Sequence, residues 1–228
     1  MILFGIAQLR LLRRLILLMI TGLVSMVSRQ NYKKMSYFLT DLNTLTWIAS
    51  GFQMPASPIV KRRVLERYSL PSATWVETGT YLGDTTHFLS SIAKKIHTIE
   101  PDLVLHTNAV KRFREVSTVE CIHGTSEEIF PKLIPILTGD ICFWLDGHYS
   151  SGITFQGDRD TPIIEEFEII RKSLGNYGNV VIFVDDVRCF NPTIPEYADY
   201  PSITWLANQA ETMKMSWRIE HDIFMCWN

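Results

Sequence analysis

From residue 73 onward, short apolar runs alternate with stretches of helical periodicity. Residues 73–76, 95–99, 118–122, 140–145 and 180–184 read as strands, and residues 85–93, 103–114, 127–137, 162–174 and 202–213 as helices. One more helix is expected in front of them, over 58–68, where Ile59, Val60, Val64, Leu65 and Tyr68 share a face and Pro71 follows. Strands separated by about ten to fifteen helical residues need right-handed crossovers, which build a mostly parallel sheet with helices on both faces. The continuous apolar runs Ile141–Leu145 and Val180–Val184 fit strands buried on both sides. Thr161-Pro162 reads as a helix start, a cap residue with proline at the first helical position. Residues 217–227 read as a short antiparallel pair. The expected architecture is a doubly wound α/β sheet of seven strands with an antiparallel C-terminal strand.

Composition agrees with a chain that buries a core. Of 228 residues, 46% are apolar and 20% charged, which excludes a disordered or collagen-like polymer. The net charge of -2 provides no overall basic field, so a nucleic-acid partner is not expected. Cys121, Cys142, Cys189 and Cys226 are far apart and form no CxxC pair, which argues against a zinc cluster or a disulfide scaffold. Free thiols fit a reducing, cytoplasmic compartment.

The charge is unevenly spread. Residues 1–34 carry Arg10, Arg13, Arg14, Arg29, Lys33 and Lys34 and no acid, a charge of +6, so the rest of the chain sums to -8. Between Arg14 and Arg29 lie 14 uncharged residues, which as a helix would reach about 21 Å, short of the roughly 30 Å hydrocarbon core. The segment is open to several readings: an interfacial helix in peripheral membrane contact, a spanning or cleaved segment, or a leader ahead of a translation start at Met35. The domain proper is taken as residues 35–228.

Polar residues gather where the strands end. Glu77-Thr78-Gly79 follows the first strand, Glu100 the second, Asp146 the fourth, and Asp185-Asp186 the fifth. Ligands of an open α/β sheet bind outside these carboxyl ends, at the point where strand order reverses. Gly79 and Gly83 bracket the exit from strand to helix and allow close approach of a ligand to the backbone. The turn is not a Walker loop, since Gly-Lys-Ser/Thr is absent, and Glu77 stands where a dinucleotide motif needs its first glycine. A carboxylate there disfavours a pyrophosphate and suits a cationic amino-acid group. Glu100 follows Gly79 by 21 residues, the usual separation for an acid that grips ribose hydroxyls.

These residues resemble the class I S-adenosylmethionine-dependent methyltransferases, whose fold is Rossmann-like. Glu77-Thr78-Gly79-Thr80-Tyr81-Leu82-Gly83 is similar to their glycine-rich motif, and Ile96 to Asp102 to their acidic strand end. The resemblance covers about residues 55–227. It implies that the Gly79 turn, with Thr85 and Thr86 beyond it, lies along the methionine part of S-adenosyl-L-methionine. It implies that Glu100 binds the ribose, that Gly124-Thr125-Ser126 lies near the adenine, and that Asp146 also borders the cofactor. Within the class, the chain most resembles metal-dependent O-methyltransferases of the catechol and macrocin types, through Asp146, Asp185 and Asp186. If the fourth and fifth strands are neighbours, those three carboxylates meet, and without a cation at least one pKa would rise strongly. A divalent ion, Mg²⁺ or else Mn²⁺ or Ca²⁺, would remove the conflict. The alternative is that Asp185 alone faces the pocket, Asp186 caps a turn and Asp146 positions a ligand.

The activity implied is Mg²⁺-assisted O-methylation. Asp146 and His148 are the candidate catalytic residues, His148 as the base because imidazole titrates near about 6.5. The catechol type carries lysine three residues after its first metal aspartate, whereas this chain has Tyr149. That favours a hydroxyl of a sugar or glycosylated small molecule over a planar catechol. Acceptors with an amine or carboxylate, reached without metal, and a non-catalytic membrane-associated binding protein are the rival readings. The loop Tyr149 to Asp160, with Arg159, could cover the acceptor, and homo-oligomerisation is open. His87, His97, His106, His123 and His221 are expected to be structural.

Overall fold

The computed structural model describes residues 42–147 and 161–228. The chain divides into two compact units, residues 1–60 and 61–228. In the first, residues 42–49 are helical, and the Trp47 and Phe52 rings meet edge to face with centroids 5.0 Å apart. The expected leader, residues 1–34, lies outside the described residues. No helix among the described residues is long and apolar enough to cross a membrane.

The elements of the sheet unit are β1 (Thr74–Thr78), β2 (Lys95–Glu100), β3 (Val119–His123), β4 (Gly139–Leu145), β5 (Tyr177–Val184), β6 (Ser216–Glu220) and β7 (Ile223–Trp227). The helices are α1 (Pro58–Tyr68), α2 (Asp84–Leu89), α3 (Leu103–Phe113), α4 (Ser126–Leu133), α5 (Ile163–Ser173) and α6 (Ile203–Thr212). The strand order is β3-β2-β1-β4-β5-β7-β6. All pairs from β3 to β5 are parallel, and β7 alone runs against its two neighbours. This is the doubly wound seven-stranded sheet expected from the sequence.

The side-chain period of two sorts the central strands between two cores. Ile141, Phe143, Ile182 and Val184 face one side, packed with Phe130 of α4, Phe167 and Ile170 of α5, and Leu206 of α6. Cys142, Trp144, Val181 and Phe183 face the other, packed with Val64 and Leu65 of α1 and Leu89 of α2. Burial on both faces is why β4 and β5 are continuous apolar runs.

Local chemistry sets the helix starts. Asp102 accepts from Leu105 N at 2.8 Å and begins α3, while Thr125 and Glu128 form a capping box at α4. Two expectations shift. The N-cap of α5 is Pro162 rather than Thr161, whose hydroxyl still accepts from Ile163 N at 3.4 Å. The helix expected over 85–93 ends at Leu89 as α2.

Trp75 and Phe183 stack at 5.7 Å with both rings fully buried, across the centre of one core. Phe183→Ala is expected to cost about 3–5 kcal/mol of unfolding free energy, read from the urea midpoint at unchanged slope. A loss under about 1 kcal/mol would contradict this packing.

Candidate functional site

The chain builds β1, β2 and β3 toward one edge and then returns to place β4 on the other side of β1. The reversal of strand order therefore lies between β1 and β4. Register brings the strand ends level: Thr78 pairs with Ile99 and with Leu145, and Leu145 with Val184. Glu100 ends β2 at this level, and the next residues out of the sheet on β1, β4 and β5 are Gly79, Asp146 and Asp185. The neighbouring β4 and β5 are as expected, and Gly79, Glu100, Asp146 and Asp185 of the sequence-predicted residues lie together at this end of the sheet.

The turn after β1 is held tightly. Gly79 N and Thr80 N both donate to Ile99 O, at 3.0 and 3.2 Å. Gly79 has φ +81°, and a Cβ there would lie 2.5 Å from the Asp146 carbonyl oxygen, so only glycine fits. Gly83, at φ +79°, would push a Cβ to 2.8 Å from the Phe113 ring. Asp146 N donates to the Thr78 hydroxyl at 3.2 Å, tying the exits of β1 and β4 together. Thr80 and Thr98 share a hydroxyl hydrogen bond of 2.6 Å below the turn. Tyr81 is exposed and Thr85 half-buried.

Glu77 is fully buried beneath this turn. Its Oε2 accepts from Thr86 Oγ1 at 2.6 Å, and its Oε1 is buried without a hydrogen-bond partner. Burial pushes its carboxyl up to about 7, against the hydroxyls of Thr86 and Thr98.

Glu100, 4% exposed, is pinned by two backbone amides. Tyr81 N donates to Oε2 at 2.7 Å and Asp102 N to Oε1 at 3.0 Å. Burial raises its carboxyl, and these amides oppose that rise. A carboxylate accepts about four hydrogen bonds, so each oxygen keeps capacity for a hydroxyl. On β3, His123 sits opposite Glu100 and leads into Gly124, Thr125 and the buried Ser126. The His106 and His123 rings lie 5.1 Å apart beside this segment.

The acidic end is organised by basic side chains that the sequence reading did not single out. Lys61, from α1, places Nζ 2.6 Å from Asp185 Oδ1 and 2.7 Å from Asp186 Oδ1. Asp186 has φ +53° and precedes the short 3₁₀ turn Val187–Cys189. Arg188 forks onto Asp186, Nη1 to Oδ1 at 2.5 Å and Nη2 to Oδ2 at 2.9 Å, and also pairs with the buried Asp222 at the β6–β7 turn. Burial alone would lower the Lys61 pKa, but Asp185, Asp186 and Asp146 carry it well above its ordinary value.

Among the described residues, no group of three His, Cys, Asp or Glu side chains is arranged to hold a metal ion. The expected metal set of Asp146, Asp185 and Asp186 is corrected accordingly: Lys61 takes one Asp185 oxygen, and Lys61 and Arg188 between them take both oxygens of Asp186. Asp186 precedes the 3₁₀ turn Val187–Cys189, but its side chain makes no capping hydrogen bond there, so the turn cap of the alternative reading is not formed. His148 and the loop through Asp160 lie outside the described residues.

A small recess opens beside Asp185, lined by Leu145, Thr161, Glu166, Phe190 and Tyr200 among others. Glu166 is 2% exposed on the apolar face of α5, between Ile163 and Ile170. An acid interrupting that stripe was its visible signal. Lys61 had none, since a lysine on the polar side of a helix is ordinary.

No protein-family model matches the chain, and no curated protein matches it. Among solved structures, the N-methyltransferase NodS from Bradyrhizobium japonicum WM9 aligns with TM-score 0.50 and 14% identity, covering 73% of this chain and 92% of NodS. The fold is that of Rossmann-like methyltransferases. A SAM-dependent methyltransferase from Aquifex aeolicus aligns at TM-score 0.46 and 14% identity, over 72% of this chain and 86% of its own. An rRNA methylase from Streptococcus thermophilus aligns at TM-score 0.42 and 15% identity, over 77% and 97%.

A carboxyl whose pKa is raised on folding, from 4.5 to about 7 at Glu77, favours the folded chain at low pH. That advantage is whole below 4.5 and is lost as pH rises through about 7. Glu77→Gln is expected to remove this loss. The stability difference between variant and wild type should shift toward the variant by about 3 kcal/mol from pH 4.5 to 8, measured by urea unfolding. A difference that does not change with pH would show that Glu77 titrates normally.

Proposed function

We propose that the chain binds S-adenosyl-L-methionine at the end of β1 and β2 and transfers its methyl group to a hydroxyl of a sugar or glycosylated small molecule. The observation that carries this reading is Glu100. Its carboxylate is buried, oriented by two backbone amides and level with the Gly79 turn. That is the chemistry a ribose diol requires, two hydroxyl donors meeting one fixed acceptor group. The Gly79 turn, where any Cβ would collide with the exit of β4, supports backbone contact with an extended ligand.

The sulfonium supplies an activated methyl group when the ligand is bound. The protein's part is to hold an acceptor oxygen in line and close, and to provide a place for its proton. Asp146 stands at the exit of β4, between the Gly79 turn and Asp185, where an acceptor would approach. It and His148 are assigned to position the acceptor and take its proton. Magnesium is not carried into this reading, because two of the three aspartates that were to hold it, Asp185 and Asp186, are paired with Lys61 and Arg188. The same pairing favours a second reading, a metal-free transfer to an amine or carboxylate.

Calorimetric titration of the full chain with S-adenosyl-L-methionine is expected to give a Kd on the order of micromolar. Glu100→Ala should weaken it at least about tenfold, or 1.4 kcal/mol. No binding by the wild type would overturn the proposal, and unchanged affinity in Glu100→Ala would overturn the ribose assignment. With binding established, labelled-methyl transfer to a panel of glycosides, amines and carboxylates is expected to mark the glycosides. Labelling confined to amines or carboxylates would select the second reading.

A further inference from the structure

Three carboxylates at the ends of two neighbouring strands create a charge problem. Asp146 and Asp185 leave adjacent strands at the same level, and Asp186 follows directly. Such a set needs positive charge nearby, from a bound ion or from the chain.

Here the chain provides it from two directions. The Lys61 ammonium bridges Asp185 Oδ1 and Asp186 Oδ1 at 2.6 and 2.7 Å, with its side chain 15% exposed. Arg188 accounts for the rest of Asp186, since its fork reaches both oxygens. Asp185 Oδ1 also accepts from Asp186 N at 2.7 Å, which fixes the carboxylate against its own turn. A magnesium ion needs carboxylate oxygens at about 2.0–2.1 Å in near-octahedral array, and calcium about 2.3–2.6 Å. An ammonium within 2.7 Å of two of those oxygens fills the same space and opposes a second cation.

We infer that Lys61 is the resident cation of this carboxylate set, doing for Asp185 and Asp186 what a divalent ion would otherwise do, and that it keeps divalent ions out. As a positioning residue it holds Asp185 toward the recess lined by Thr161, Glu166 and Tyr200. The assignment concerns the carboxylates themselves and stands independently of the proposed methyl transfer.

Mn²⁺ binding to the full chain, followed by electron paramagnetic resonance of the free ion, tests it without any substrate. The wild type is expected to show no saturable site below about 1 mM. Lys61→Met, which keeps the stem and removes the charge, should acquire one site at least about tenfold tighter than that, abolished by adding Asp185→Asn. Lys61→Gln is measured beside it, and circular dichroism checks both folds. A wild-type site tighter than about 0.1 mM that disappears in Asp185→Asn would overturn the inference. Absence of binding in the folded Lys61 variants would overturn it too, since Lys61 would then not be what excludes the ion.

Discussion

The register of β4 between β1 and β5 governs the carboxyl end of the sheet, where the candidate site lies. Leu145 is paired with Thr78 on one side and Val184 on the other, so the next residue of each strand emerges at one level. A one-residue slip of β4 would send Phe143 and Ile141 into the wrong core and carry Asp146 away from the Gly79 turn. Register is secured because β4 is buried on both faces by different partners. Packing in the middle of the sheet thus fixes polar geometry at its rim.

Much of this was legible in the sequence, and for stated reasons. Fully buried parallel strands must be apolar throughout, so β4 and β5 announced themselves. Gly79 and Gly83 were visible because only glycine tolerates their backbone and neighbours. Glu77 and Glu100 stood out as acids terminating apolar runs, and the structure gives each a buried role. Boundaries shifted where local rules compete, as at Thr161-Pro162, where the first helical turn closes one residue later than the cap signal implies.

The charge arrangement at the acidic end was not legible. The sequence shows acids clustering at strand ends, because strand ends are local features. It does not show that Lys61 meets Asp185 across more than a hundred residues, or that Arg188 joins Asp186 to Asp222. Those pairings arise from how α1 lies on the sheet and how the β6–β7 turn folds back. A cluster of acids in sequence indicates that a cation is needed and is silent on whether it comes from solution or from the chain. The three aspartates fit both answers until the position of Lys61 is known.

The sheet order also bears on the birth of the molecule. Synthesis delivers residues from first to last, yet β7 is wedged between β5 and β6. While the chain is still being made, β5 is complete but bordered on one side by nothing, an apolar edge with free backbone donors and acceptors. The partner that covers it, Ile223–Trp227, is separated from it by a helix and another strand, and Asp222 arrives with it to meet Arg188. A nascent chain therefore carries an apolar strand with one edge uncovered through that interval, and the sheet closes only when residues 223–227 arrive.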